Sequence, residues 1–178
     1  DICDYFDIDP VFGSLGDFDM LLREAHRRGI RLIMDMPLNH TSYLHPWFIE
    51  SSSSPDSEKR GWYIWRDGRK GKPPNNWRSA FLGSAWEWHE PTGQYYLHSF
   101  LKEQPDVNWR NPGLKEAMFS VLRFWLDRGI DGFRLDVVNW FVKDRRFRNN
   151  PFSVNPLSNR VEKYSRNRPE THMVAREL

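Results

Sequence analysis

The sequence contains a single cysteine, Cys3, among 178 residues. One thiol excludes an internal disulfide and is typical of a reducing compartment, so we expect a cytoplasmic protein. No apolar run approaches the roughly 18 residues of a membrane-spanning helix, so we expect no membrane partner. The chain begins at Asp1, inside a motif, without an initiator methionine or a signal peptide. We therefore expect it to be part of a longer protein.

An excess of charge of one sign is also lacking, because 26 Lys and Arg stand against 24 Asp and Glu, a net charge of +2. Two basic clusters, at 66–72 and 143–148, are interpreted as solvated faces rather than as a nucleic-acid surface. The chain is instead 39% hydrophobic and 15% aromatic. This composition predicts a packed domain and excludes a disordered chain.

Hydrophobic spacing in the first part predicts a strand, a helix and a strand. Residues 1–13 are interpreted as the end of a strand that runs into a loop. Apolar or small residues at helical spacing predict a helix from Asp17 to Arg28, which Gly29 closes. The apolar run 30–37 predicts a buried parallel strand.

A second helix and strand follow later in the chain. Residues 112–129 predict an amphipathic helix, and residues 131–138 predict another buried strand. A loop is expected at 141–160 and a last helix at 168–178. The alternation of helices and strands predicts an α/β fold with a parallel sheet.

The middle of the chain differs in character from both flanks. Residues 43–105 are rich in Ser, Gly, Pro and aromatic side chains and show few helical patterns. They predict a small irregular subdomain, with the serine run at 51–55 in a surface loop. We therefore divide the chain into an α/β part at 1–42, an insertion at 43–105 and a second α/β part at 106–178.

Polar side chains stand where the two predicted strands end. Arg134 and Asp136 are two residues apart and therefore point to the same side of their strand, and Asp35 lies near the end of the other. A cation beside Asp136 would keep that carboxylate ionised, as a covalent nucleophile requires. A structural ion pair that holds two strands together explains the pattern equally well.

The other candidate residues also have structural explanations. A single histidine such as His40 is more often a hydrogen-bonded loop residue than a ligand-binding one. Aromatic side chains in an insertion more often form its core than a binding platform, although rings together with carboxylates are typical of carbohydrate sites. The aromatic residues concerned are Trp77, Phe81, Trp86, Trp88, Tyr95, Tyr96 and Phe100.

Three motifs together resemble the α-amylase superfamily, glycoside hydrolase family thirteen. They are DMPLNHTS at 35–42, QPDVNW at 104–109 and GFRLDVVN at 132–139, in the order and spacing of that family. The oligo-1,6-glucosidase and α-glucosidase subgroup is the most similar. The resemblance implies a fragment of a TIM (β/α)8 barrel, about strands 2 to 4, with a domain B inserted after strand 3.

The family implies a retaining mechanism, in which one carboxylate attacks the anomeric carbon and a second acts as acid and then as base. Asp136 resembles the nucleophile, and Arg134 resembles its fixed partner. Asp35 and Asn39 resemble residues that support the strand end. The positions that resemble substrate contacts are Asp1, His40, Phe81, Phe100 and Gln104.

Some parts of the family's machinery are not expected in this sequence. The general acid follows the family's fifth strand, which we expect beyond Leu178, and Glu170 and Glu177 instead fall in a predicted helix. No cofactor or metal is expected here, and any calcium would bind in the part of the barrel that precedes Asp1. We expect these residues alone to be poorly soluble and inactive, because an incomplete barrel leaves strand edges unpaired.

The resemblance implies an exo-acting α-glucosidase of short oligosaccharides that forms a covalent glucosyl-Asp136 intermediate. Val137 resembles members that act on α-1,6 bonds, although valine is also an ordinary strand former. A glucosyl-transferring relative, such as a sucrose isomerase or trehalose synthase, is the alternative. A non-catalytic heavy chain of an amino-acid transporter is a third, which the intact Asp136, Arg134 and His40 argue against. The oligomeric state is left open.

Overall fold

A computed structural model describes residues 1–153 and 161–178. The last part of the loop predicted at 141–160 lies outside the described residues. The helices are α1 (Leu15–Arg27), α2 (Pro46–Ser53), α3 (Pro112–Arg128) and α4 (Thr171–Glu177). The strands are β1 (Ile33–Pro37), β2 (Trp65–Arg66), β3 (Trp86–His89), β4 (Gln94–Leu97) and β5 (Gly132–Asp136).

The α/β part is built on a pair of parallel strands, β1 and β5, which lie in register with Asp35 opposite Arg134. The helices predicted at 17–28 and 112–129 and the strands predicted at 30–37 and 131–138 are therefore confirmed, to within a few residues. Helix α3 begins where the Asn111 side chain accepts from the Leu114 N–H at 3.1 Å. It ends at Gly129, whose φ of 107° disfavours any side chain.

The strand predicted before α1 is wrong, because residues 1–13 form turns and bends. Their aspartates accept hydrogen bonds from nearby backbone N–H groups: Asp4 accepts from Phe6 at 2.8 Å, and Asp9 accepts from Val11 at 3.0 Å. Such local bonds compete with strand pairing, and the apolar residues alone did not reveal them.

The prediction that β1 and β5 are buried is correct for one face only. Met36 is 3% exposed and packs in the main core together with α3, whereas Ile33 on the opposite face of β1 is 64% exposed. Successive side chains of a strand point to opposite faces. The uncovered face of the pair therefore carries the alternate residues, which include Asp35 and Arg134.

The insertion contains a three-stranded antiparallel sheet with β4 between β2 and β3. The serine run is not simply a surface loop, because α2 continues to Ser53. Ser51 is fully buried and accepts a hydrogen bond from Trp65 Nε1 at 3.0 Å. The buried indole N–H requires an acceptor, and the small Ser51 hydroxyl supplies one. The division at residues 42 and 105 stays a prediction.

Candidate active site

The centre of the candidate site is a guanidinium group between two carboxylates, one in the middle of β1 and the other at the end of β5. Arg134 Nη1 donates to both oxygens of Asp35, at 2.7 and 2.8 Å, and Nη2 donates to Asp136 Oδ1 at 2.9 Å. The hydrogen bonds to Asp35, followed by the charges of both carboxylates, raise the pKa of Arg134. Within the described residues, Asp136 Oδ2 accepts no hydrogen bond and remains open to another molecule.

Both explanations of the Arg134–Asp136 pair are visible in this geometry. The bidentate contact with Asp35 joins two neighbouring strands, as a structural ion pair would. However, the side chains of Arg134 and Asp35 are 63% and 60% exposed, so this pairing contributes little to stability by itself. Its clearest consequence is that Asp136 is held in one orientation at the carboxyl end of β5.

His40 is 5% exposed, is not an exposed loop residue and lies within electrostatic range of Asp136. Its Nε2 lies 3.2 Å from Gln104 Nε2 and 3.5 Å from Asp1 Oδ2. Burial lowers the pKa of His40, and the charges of Asp106 and Asp136 partly oppose that effect. The structure thus brings together three of the residues that resemble substrate contacts, around a neutral imidazole.

Aromatic rings form one wall of the same site. The Phe100 ring lies 5.3 Å from His40, 5.5 Å from Trp140 and 6.1 Å from Phe81, measured between centroids. Phe81 is 62% exposed, in contrast to the buried Trp77 and Trp86. The insertion aromatics therefore divide into core residues and a smaller exposed set. Phe100 lies beside His40, and Phe81 packs next to Phe100.

A buried cation lies beneath the site, and the sequence did not reveal it. Lys143 Nζ is 2.6 Å from Asp106 Oδ2, donates to Asn39 Oδ1 at 2.9 Å and also donates to the Trp140 carbonyl. Asn39 in turn donates to Asp106 Oδ1 at 3.1 Å, and Ser99 N–H donates to that same oxygen at 2.9 Å. These bonds connect the segment after β1, the end of the insertion and the segment after β5.

The interpretation of 143–148 as a solvated face is wrong for Lys143, which is 3% exposed. Burial lowers the pKa of Lys143, and the neighbouring Asp106 opposes that shift. Asp106 lies inside the QPDVNW motif, and this motif could have marked Asp106 as one member of the buried pair. The partner could not be identified from spacing, because 37 positions separate the two residues in the sequence and only the fold brings them together.

Val137, the residue after the candidate nucleophile, is not an ordinary strand former. Strand β5 ends at Asp136, and Val137 adopts a left-handed conformation with φ 46° and ψ 37°. A β-branched residue pays a steric cost there, on the order of 1–2 kcal/mol. The simplest explanation of Val137, as a residue chosen for strand propensity, is therefore wrong.

The two glutamates near the chain end are engaged elsewhere. Glu170 accepts from Arg110 Nη2 at 3.2 Å, and Glu177 accepts from Lys115 on α3. The pKa of Glu170 is lowered, chiefly by a hydrogen bond from the Glu170 backbone N–H and then by the hydrogen bond from Arg110. A general acid needs a raised pKa to carry a proton near neutral pH, so Glu170 does not suit that role.

Residues 1–153 and 161–178 contain no group of three or more His, Cys, Asp or Glu side chains that could hold a metal ion. No helix in these ranges is long and apolar enough to cross a membrane.

The sequence matches known proteins along its whole length. The catalytic-domain model of the alpha-amylase family matches residues 1–178. An oligo-1,6-glucosidase of Parageobacillus thermoglucosidasius is 55% identical over 143 residues, covering 80% of this chain and 25% of that protein. A probable alpha-glucosidase of Rhizobium meliloti (strain 1021) is 50% identical over 183 residues, covering 96% of this chain and 33% of that protein.

Solved structures agree with this match. The crystal structure of the alpha-glucosyl transfer enzyme XgtA superimposes with a TM-score of 0.96 at 43% identity, covering 100% of this chain and 36% of that one. The chain thus spans a third or less of the length of the two curated relatives described above.

Proposed function

Because the chain belongs to the alpha-amylase catalytic-domain family, we propose that the protein containing it is a retaining, exo-acting α-glucosidase of short oligosaccharides. The family resemblance and the α/β barrel class inferred from the sequence are confirmed by the family match and by the fold of XgtA. The roles of individual residues and the choice of substrate belong to the proposal.

The observation that carries the proposal is the fixed orientation of Asp136. Arg134 binds one oxygen of this carboxylate and leaves Oδ2 open at the end of β5. In the proposed reaction Oδ2 attacks the anomeric carbon, forms a glucosyl ester and displaces the leaving sugar as an alcohol. Water then cleaves the ester and releases glucose with its anomeric configuration retained.

The general acid that protonates the leaving oxygen is supplied from outside residues 1–178 in this proposal. Glu170 forms an ion pair with Arg110, which lies just before α3, and Glu177 forms one with Lys115 on α3. The same residue would later act as the base that activates water. Asp136 and Arg134 alone therefore perform only half of the chemistry.

The buried group around His40 is proposed to bind the terminal glucose. Asp1, His40 and Gln104 offer polar atoms that can exchange hydrogen bonds with hydroxyls, and Phe100 offers a ring face. A neutral His40 can both donate and accept, as a sugar hydroxyl does. Closure of the pocket by these groups would favour removal of one end unit at a time.

We propose α-1,6 bonds, as in isomaltose, as the preferred substrate linkage. Similarity to an oligo-1,6-glucosidase and the identity of Val137 support this choice. Glucosyl transfer to a sugar acceptor is the second candidate, supported by the 43% identity to an alpha-glucosyl transfer enzyme. The two differ only in whether water or a hydroxyl attacks the glucosyl-Asp136 ester.

The test uses the complete parent protein, with glucose release from isomaltose and from maltose as the readout. Asp136→Asn should abolish release, whereas the exposed Asp127→Asn on α3 should leave it unchanged and serves as the matched control. Trapping of a 2-fluoroglucosyl group on Asp136 would locate the covalent bond directly. Equal activity of Asp136→Asn and the parent would contradict the proposal, and transfer products in place of glucose would favour the second candidate.

A cytoplasmic location and a mechanism without a cofactor also stay predictions. The buried positive charge next to the candidate site belongs to a side chain of this chain, Lys143, whose ammonium group lies among oxygens of Asp106, Asn39 and Trp140. Activity of the parent protein that survives removal of divalent ions by a chelator would support a metal-free reaction.

A further inference from the structure

We propose a second carbohydrate-binding surface on the insertion, which we call the Trp88 platform, for an α-glucan or oligosaccharide chain. It is an open groove of about 640 Å³ lined by Asp67, Gly68, Gly71, Trp88, Gly93 and Tyr95. The ligand class rests on the proposed function, but the surface lies outside the group of residues around Asp136 and His40.

The platform is the uncovered end of a sheet face that is buried at its other end. Trp88 on β3 pairs with Tyr95 on β4, and their ring centroids lie 5.0 Å apart. The neighbouring pair on the same face is Trp86, two residues before Trp88 on β3, and Leu97, two residues after Tyr95 on β4. These side chains are 2% and 1% exposed. Trp88 is 44% exposed, so within residues 1–153 and 161–178 a large aromatic surface is left uncovered beyond this core.

Glycines keep these rings uncovered. A Cβ on Gly68 would lie 2.9 Å from Tyr95 Cε2 and 2.9 Å from the Lys72 carbonyl oxygen, so no side chain fits there. Gly93 has φ 63°, which disfavours most side chains, and its Cβ position lies 3.9 Å from Trp88 Cη2. The backbone therefore approaches the groove closely, and a ligand can reach both the rings and backbone polar groups.

A fixed carboxylate stands at the edge of the rings. Asp67 Oδ1 accepts from Gln94 Nε2 at 2.7 Å, and Gln94 Oε1 accepts from Arg60 at 2.5 Å. Within the described residues, Asp67 Oδ2 accepts no hydrogen bond. A pyranose fits this combination, because its C–H face packs on the negative face of an aromatic ring while its hydroxyls donate to a carboxylate.

Charge around the groove argues against a cationic ligand. A carboxylate and an indole could also hold an ammonium group. However, the adjoining hairpin, closed by paired backbone bonds between Arg69 and Lys72, carries Arg69, Lys70 and Lys72. These three cations outnumber the two carboxylates at the rings, Asp67 and the Glu90 that accepts from Trp88 Nε1, so the surroundings favour a neutral, hydroxyl-rich chain over a cation.

The platform and the catalytic pocket are connected by one chain segment. Tyr95 precedes Phe100 by five positions, a distance of at most about 16 Å along an extended chain. Within the described residues the Trp88 ring contacts Tyr95, whereas the Phe100 ring contacts His40, Phe81 and Trp140, so the two ring groups share no member and we place the glucose unit of the pocket away from Trp88. The platform would hold a longer chain near the pocket and would not alter the turnover of a disaccharide.

The test measures retardation of the complete parent protein, carrying Asp136→Asn to prevent turnover, in gels that contain a soluble α-glucan. Trp88→Ala should weaken the apparent affinity about tenfold, as expected for loss of one stacked ring. Trp88→Tyr retains a ring and should retain most of the retardation. Gly93→Asn, at a left-handed position that asparagine tolerates, should weaken binding because its side chain would cover part of the Trp88 ring while the tryptophan stays in place.

The same substitutions in the parent with intact Asp136 should leave the KM and kcat for isomaltose unchanged. Retardation that is unaffected by Trp88→Ala and Gly93→Asn would overturn the proposal. A parallel loss of isomaltose hydrolysis would also overturn it, because Trp88 would then act in the catalytic pocket. Glucan binding through Trp88 by a parent protein that releases no glucose would refute the proposed function and leave the platform intact.

Discussion

Lys143 and Asp106 form a fully buried ion pair, with Nζ 2.6 Å from Oδ2 and side-chain exposures of 2% and 0%. Taking two charges out of water is costly, and hydrogen bonds from Asn39 and Ser99 to Asp106 offset part of that cost. The pair joins three chain segments that each carry part of the candidate site. Its integrity therefore determines how His40 and the end of β5 lie relative to each other.

Loss of the buried cation should destabilise the protein strongly. Lys143→Met leaves the Asp106 carboxylate buried and unpaired, and we expect a loss of about 3–5 kcal/mol in the free energy of unfolding. The double variant Lys143→Met/Asp106→Asn removes both charges and should recover part of that loss. Urea unfolding of the parent protein measures both, with the exposed Lys102→Met as control. Equal stabilities of Lys143→Met and Lys102→Met would contradict the structural role.

Arg134→Lys should reduce catalysis without unfolding the protein. Lysine keeps the charge but cannot bind Asp35 with two bonds and Asp136 with a third. Asp136 would lose its fixed orientation, and we expect kcat to fall about 100-fold, with KM changed much less. Steady-state kinetics on isomaltose measure this, and thermal unfolding checks the fold. A variant with unchanged kcat would show that the pair is only a link between strands.

Val137 should influence which linkage is cleaved. Its left-handed backbone and β-branched side chain restrict its rotamers directly after the candidate nucleophile. Val137→Ala and Val137→Thr should lower the ratio of kcat/KM for isomaltose to that for maltose by about tenfold, the range that small apolar groups achieve. Val138→Ala is the control and should leave the ratio unchanged. The linkage assignment fails if both Val137 variants keep the parent's ratio.

His45 should make stability depend on pH. Its Nδ1 accepts from the Trp47 N–H at the start of α2, and burial lowers its pKa from 6.5 to about 4. The unfolded chain then binds a proton more readily than the folded one, so the contribution of His45 to stability should fall as pH drops from about 6.5 to about 4 and should not change further below that.

The measurement is urea unfolding of the parent protein and of His45→Asn between pH 4 and 8. Asparagine can cap the helix without titrating, so the variant should lose less stability over that range. The difference between the two curves removes the effect of other titrating groups. Two parallel curves would show that His45 protonation is not coupled to folding.

Local patterns in the sequence predicted the elements with strong local causes. Helix α3 has an N-cap at Asn111, a proline at its first position and a glycine after its end, and its apolar stripe is regular. Residues 1–13 were misread because aspartate turns compete with strand pairing over a few residues. The serine run was misread because Ser51 is buried only when Trp65 reaches it from another segment.

The candidate site shows the same division. The sequence by itself determined the family, the α/β order and the residues Asp136, Arg134 and His40, because short motifs encode strand ends and the chemistry attached to them. Only the tertiary structure decided that Arg134 binds both Asp35 and Asp136, that Val137 leaves the strand in a left-handed turn, and that Lys143 is buried against Asp106. Those relationships depend on contacts between distant segments, and a solvated lysine and a buried one look alike in a sequence until a carboxylate is brought beside one of them.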